Sequence, residues 1–194
     1  MRMKLMMEPD TLAVIRSRRV IRHFTAKPVP DELLWKILEA ARWAPAGSNR
    51  RVQRYVCLTG PQTIHQIMLV SPCMAAAPPA LIVVCFDLNL VEAVWTDNRH
   101  STMFIDVGTA AENMLLAAHA LGLGGWPMTP TNSEAIRVIL NLSEELEPVM
   151  FIGLGYPGKP PQSVLDRPKK YIRLKDIVHW GPFPDEPETG TSNS

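Results

Sequence analysis

Apolar positions fall into two repeating patterns along the chain, and together they predict most of its elements. Leu33, Leu34, Ile37, Leu38 and Ala41 recur at three-and-four spacing behind Asp31 and Glu32, which predicts a helix from Asp31 to about Trp43. Asp10 caps a shorter helix through about Arg16 that carries Leu12, Ala13 and Ile15. Met103 to Leu121 is the longest helical stretch, with Ile105, Met114, Leu115 and Ala118 as buried candidates. Apolar residues occupy nearly every side of it, so it is expected to be buried around most of its circumference, centrally or at a subunit interface. Gln62 to Leu69 and Ser133 to Leu140 read as short helices. Arg54–Thr59, Ala80–Phe86 and Val149–Leu154 read as strands, the last two as buried and Ala80–Phe86 near-continuously apolar.

Glycine and proline mark the boundaries. Gly122-Leu123-Gly124-Gly125 ends the long helix, and Trp126-Pro127-Met128-Thr129-Pro130 continues as an extended segment. Pro45-Ala46-Gly47-Ser48-Asn49 is a compact loop whose small residues let backbone N–H groups approach a ligand; an ordinary helix-to-strand turn is the plain alternative. Gly153-Leu154-Gly155-Tyr156-Pro157-Gly158 matches GxGxxG in form, but Pro157, Pro160 and Pro161 prevent the helix a dinucleotide fingerprint requires. It reads as a strand end and exit loop. Between Leu88 and His100 the pattern is weak, and Trp95, Asp97 and His100 are candidates for a pocket cover.

The 194 residues are expected to form one domain over 1–184, followed by a polar, disordered tail over 185–194. Net charge is +1, so no global field attracts nucleic acid and any anion site is local. Cys57, Cys73 and Cys85 lack CxxC spacing and read as reduced core residues of a cytoplasmic protein. The longest apolar run, Ala75 to Phe86, is too short to span a membrane and contains Pro78 and Pro79.

Local charge is most concentrated at Arg18-Arg19-Val20-Ile21-Arg22. In an extended segment Arg18, Val20 and Arg22 share one face and Arg19 and Ile21 the other, which sets two guanidinium forks on one side, a pairing suited to phosphate; a solvated basic turn is the plain alternative. A second cationic run, Arg167 to Arg173, lies near the end of the chain.

Five segments in order resemble the FMN-dependent nitroreductase family: Arg18 to Arg22, Ala44-Pro45-Ala46-Gly47-Ser48-Asn49, Leu121 to Gly124, Gly155-Tyr156-Pro157, and Leu174-Lys175-Asp176-Ile177-Val178-His179. The resemblance spans roughly residues 10 to 180. It implies an α+β fold with a central antiparallel sheet flanked by helices, and an interlocked homodimer with FMN at the interface. It further implies that Arg18, Arg19 and Arg22, with the backbone of Val20, bind the FMN phosphate and ribityl chain. Pro45, Ala46, Gly47 and Asn49 of the other subunit then lie against the flavin, and Pro127, Met128 and Thr129 run past its N5 edge. Arg173 and Lys170 complete the phosphate site.

The activity implied is hydride transfer from NAD(P)H through flavin N5 to a small-molecule acceptor, a nitroaromatic or quinone, by ping-pong kinetics. The cofactor carries the chemistry, so no catalytic side chain is expected. Val20 stands where serine is usual, and Arg51, Val52 and Gln53 stand where Gln-Pro-Trp is common. These departures keep open a non-catalytic FMN- or ligand-binding dimer of the same fold, and the resemblance also leaves open a flavin-dependent dehalogenase-like relative. Neither nucleic acid nor membrane is an expected partner.

Overall fold

The computed structural model describes residues 10–74, 76–92, 100–161 and 172–182; no side chain is described at 91, 92 or 100–102. Its contacts divide into one unit ending at Pro160 and a second beginning at Pro161.

In the first unit the elements follow as α1 (Thr11–Ser17), α2 (Asp31–Arg42), β1 (Gln53–Leu58), α3 (Pro61–Val70), β2 (Ala80–Asp87), α4 (Leu88–Glu92), α5 (His100–Ala120), β3 (Gly124–Met128), α6 (Ser133–Leu140) and β4 (Leu146–Gly155). The four strands form one sheet in the order β1-β2-β4-β3, and every pairing is antiparallel. β1 and β3 are therefore the edges.

Strand alternation sorts the core into two layers. Ala80, Ile82, Val84 and Phe86 join Ile152 and Leu154 on the face covered by α2 and α5. Leu81, Val83 and Cys85 join Phe151, Trp126 and Met128 on the face covered by α3 and α6. Helices on both faces explain why β2 is apolar at successive positions rather than at alternate ones. Asn132 caps α6 by accepting from the Ala135 N–H at 3.0 Å, and Asn141 ends it in the left-handed conformation.

In the single chain Phe104 and Ile105 of α5 are 56% and 63% exposed, so the fold alone does not enclose this helix and the subunit-interface alternative stays open. One expectation changes. Cys57 is exposed rather than core, because β1 is an edge strand; Cys73 is half-buried and Cys85 buried, and all three are free thiols. The weak stretch after β2 contains α4, which its length of 5 residues left without a legible period. Trp95 and Asp97, named as pocket cover, lie outside the described residues, and His100 begins α5.

In the second unit, Leu174–Asp176 forms a 3-10 turn, and the Arg173 guanidinium grips Asp176 through Nε–Oδ2 and Nη2–Oδ1 bonds, each 2.9 Å. Ile172, Leu174, Ile177 and Trp180 are exposed.

Among the described residues no helix is long and apolar enough to cross a membrane.

Candidate functional site: an arginine run and a strained loop held by one helix

The arginine run is extended and lies along the free edge of β3. Val20 forms a parallel bridge with Gly125, and the Ile21 N–H donates to the Gly125 carbonyl at 3.1 Å. Two glycines permit this approach. A Cβ on Gly124 would lie 2.5 Å from Ile21 Cβ, and one on Gly125 would lie 2.4 Å from Leu115 Cδ2 of α5. Gly124-Gly125 thus lets the run press on one side of β3 and α5 on the other. Beyond the run, Phe24 bridges Pro157 and the Gly158 N–H donates to the His23 carbonyl at 2.8 Å. The segment Gly153 to Gly158 is therefore the end of β4 and the exit loop that follows it, with no helix at its glycines.

The arginines of the run have unequal freedom. Arg18 is half-buried and donates from Nε to Glu112 Oε1 of α5 at 3.1 Å, which orients the rest of its fork. Arg22 is exposed, with its guanidinium carbon 6.0 Å from the Trp126 ring centroid, and no carboxylate pairs with it among the described residues. Arg19 turns back, donating from Nη1 to the carbonyls of Arg16 and Arg18, each at 2.7 Å. Arg18 and Arg22 thus keep guanidinium donors for an anion, whereas one of Arg19's is engaged with its own backbone.

The loop Pro45–Asn49 hangs on the same helix. The Gly47 N–H donates to both oxygens of Asp106 at 3.0 and 3.1 Å, and Asp106 is buried. Thr109 Oγ1 donates to the Pro45 carbonyl at 3.0 Å. Positive φ angles at Ser48 (50°), Asn49 (56°) and Arg51 (52°) wind the backbone tightly, a conformation that non-glycine residues adopt rarely. Pro45, Gly47 and Asn49 are exposed and Ala46 is half-buried.

Asp106, Thr109 and Glu112 recur every third residue on α5, so they share one side of the helix within about 9 Å along its axis. α5 therefore gathers the arginine run and the loop in one chain. These anchors were not singled out from sequence, although polar residues at regular spacing in an otherwise apolar helix are the signal that marks them.

β3 brings Pro127, Met128 and Thr129 along the same edge as the run. The Met128 side chain is in the core at 7% exposure, which leaves its backbone for a ligand, while Thr129 is exposed. Lys170 lies outside the described residues, and Arg173 belongs to the second unit with its guanidinium on Asp176. Among the described residues no group of three or more His, Cys, Asp or Glu side chains is placed to hold a metal.

The model of the nitroreductase family matches residues 15–71 and 62–156. The chain belongs to the nitroreductase family. A protein of Methanothermobacter thermautotrophicus whose name pairs NADH dehydrogenase with NAD(P)H nitroreductase is 33% identical over 161 residues, covering 78% of this chain and 80% of its own length. The NADPH-flavin oxidoreductase of Vibrio harveyi is 29% identical over 163 residues, covering 79% of this chain and 68% of its own. A crystal structure of a nitroreductase family protein from Clostridium difficile superimposes with a TM-score of 0.72 at 29% identity, covering 88% of this chain and 97% of that one. The nitroreductase segments of this chain thus include the run, the loop and β3.

Proposed function

We propose that this nitroreductase is an FMN-dependent NAD(P)H oxidoreductase that reduces a nitroaromatic, quinone or related small acceptor. The observation that carries the reading is the arginine run, bridged to β3 at Val20 and with donors of Arg18 and Arg22 to spare, beside the backbone from Pro127 to Thr129. That donor set fits the group: a phosphate needs charged forks, and a flavin ring needs a polar backbone edge rather than an acid or base. The names of the relatives, nitroreductase and NADPH-flavin oxidoreductase, support the same chemistry.

When bound, FMN supplies hydride acceptance from NAD(P)H and hydride delivery to the acceptor. The chain's residues position it. Arg18, oriented by Glu112, and Arg22 hold the phosphate, and the backbone around Val20 borders the ribityl chain. Pro45, Ala46, Gly47 and Asn49 border the ring, with Asp106 and Thr109 holding their loop. Pro127, Met128 and Thr129 offer backbone at the reacting edge. Arg173 and Lys170 are assigned to the phosphate on the family resemblance. NAD(P)H and acceptor occupy one place in turn, which gives ping-pong kinetics.

The site is completed across a homodimer. Phe104 and Ile105 leave the start of α5 with exposed apolar side chains, and Ile105 adjoins the Asp106 anchor of the loop, which supports a second copy seated on that face beside the loop. The tests are direct. Reconstituted protein should show a flavin spectrum that bleaches on anaerobic addition of NAD(P)H, and initial rates should give parallel double-reciprocal lines; protein that retains no flavin after reconstitution overturns the reading.

A further inference from the structure

We infer that Arg51 and Arg54 form a subsite for the phosphate monoester of a substrate, set beside the flavin loop and separate from the Arg18–Arg22 clamp. The inference rests on the proposed flavin reading, because it places the subsite through the loop Pro45–Asn49.

A cavity of about 230 Å³ lies between the end of α2 and the start of β1, and Arg42, Arg51, Arg54, Ala46, Gln53 and Tyr55 line it. Its three guanidinium groups differ in what they have left to give. Arg42 donates from Nε to Glu39 at 2.8 Å, makes a second bond to the same carboxylate through Nη2, and lies 4.8 Å from the Trp43 ring centroid. It is committed locally. Arg54 pairs with Asp87 at 2.9 Å through Nη2 and donates from Nη1 to the carbonyls of Arg51 at 3.2 Å and Gln53 at 3.0 Å, and among the described residues its Nε has no bond.

Arg51 donates only from Nε, to the neutral Asn49 Oδ1 at 3.1 Å, and among the described residues no carboxylate pairs with it. Both of its terminal nitrogens are therefore available. Three arginines face two carboxylates, Glu39 and Asp87, so the cavity keeps a positive charge in a chain whose net charge is only +1. Arg51 and Tyr55 both line the cavity, and the Arg51 charge opposes the upward push of burial on the Tyr55 phenol.

A phosphate monoester matches this arrangement. Guanidinium forks bind its oxygens in pairs, and the cavity is ample for the group. Ala46 belongs both to the cavity wall and to the loop, and Arg51 holds the Asn49 carboxamide, so an anion on Arg51 is sensed at the flavin border. The strained φ of 52° at Arg51 directs the chain here at a position where glycine would fit more easily.

Two substrates carry this chemistry: NADPH through its 2′-phosphate, and free FMN, used as a diffusible acceptor, through its 5′-phosphate. The experiment separates them. Purified full-length protein is titrated calorimetrically with adenosine 2′,5′-bisphosphate and with 5′-AMP. In parallel, flavin-loaded enzyme is assayed with FMN and with riboflavin as acceptor. Wild type is compared with Arg51→Gln and Arg54→Gln, each checked for an unchanged melting temperature, and with Arg51→Gly, which relieves the backbone.

One of the two pairs should show a preference of about tenfold or more in wild type for the member with one more phosphate, the 2′-phosphate in the first pair and the 5′-phosphate in the second, collapsing to about twofold in the Arg51 variants. Preference in the first pair assigns the 2′-phosphate, and preference in the second assigns the flavin acceptor. Equal behaviour of both pairs in wild type, or a preference that survives Arg51→Gln, overturns the inference. Binding of resident FMN is followed separately by fluorescence quenching. Loss of that binding alongside an intact bisphosphate preference removes the flavin reading and leaves the subsite standing.

Discussion

Gly124→Ala is the substitution that most cleanly separates the arginine run from its support. The new methyl would lie 2.5 Å from Ile21 Cβ and 2.7 Å from both Cγ1 and Cγ2. Carbon atoms pack at about 3.5–4.0 Å, so the run must move out by about 1 Å. Because the obstacle begins at Cβ, rotation of Ile21 alone does not relieve it. A shift of that size stretches the 3.1 Å bond from the Ile21 N–H to the Gly125 carbonyl beyond useful length. Overpacking costs about 1–3 kcal/mol and the lost bond about 1 kcal/mol. The narrower unfolded ensemble of alanine offsets about 0.4–1 kcal/mol, leaving a net loss of about 1–3 kcal/mol.

Urea denaturation measures that loss, and FMN titration of the same variant should show weaker binding because Arg18 and Arg22 have moved. Ile21→Gly removes all three clashing atoms. In the double-mutant cycle the pair should therefore be less destabilised than the sum of the single variants by about 1 kcal/mol or more. Strict additivity would refute the claim that this contact seats the run.

Further expectations concern the anchors, the interface and the thiols. Asp106→Ala leaves the Gly47 N–H without its charged acceptor and should cost about 1.5–3 kcal/mol in chemical denaturation, with Asp106→Asn recovering part of the loss because an amide oxygen still accepts. Asn49→Ala should change FMN affinity or the flavin midpoint potential while the melting temperature stays within a few degrees of wild type; global unfolding would make the residue structural. Ile105→Glu, at a position 63% exposed in a single chain, should shift sedimentation equilibrium toward monomer, and an unchanged dimer would move the interface elsewhere.

Burial pushes the Cys85 thiol up to about 11 from 9.0. A raised thiol pKa contributes stability that is present below the unfolded value and lost as pH rises. Stability should therefore decline between about pH 9 and 11, and Cys85→Ala should flatten that decline. An identical slope in the variant would remove Cys85 as the cause.

The legible parts of the fold were those in which one periodicity governs a whole element. α2, α6 and β2 came within a residue or two of their observed limits, because a helix stripe and a doubly covered strand both write their environment into consecutive residues. At α5 the apolar residues face two environments, the sheet layer on one side and, in the single chain, an exposed face with Phe104 and Ile105 on the other, and composition does not say which of them the chain's own fold closes. Cys57 was misplaced because edge position is a property of strand order, which follows from long-range pairing.

For the site, the extended run was readable at Val20 and Ile21, which meet Gly125, but Arg18 reaches Glu112 of α5 while Arg22 lies by Trp126 in the other core layer, a divergence that strict alternation does not predict. What the run rests on was not readable: Glu112 lies 94 residues away in sequence, and the Asp106 anchor lies 59 residues from Gly47. The strain at Arg51 was equally hidden, since a positive φ at arginine has no signature in composition.

The central claim, that Arg18 and Arg22 clamp the phosphate of FMN, is tested most directly by comparing FMN with riboflavin in binding to wild type and to the Arg18→Ala/Arg22→Ala double variant. Wild type should bind FMN more tightly than riboflavin by at least about 30-fold, or about 2 kcal/mol, and the double variant should bind the two nearly alike with riboflavin affinity little changed. A wild type indifferent to the phosphate, or a double variant that keeps the full preference, would contradict the clamp.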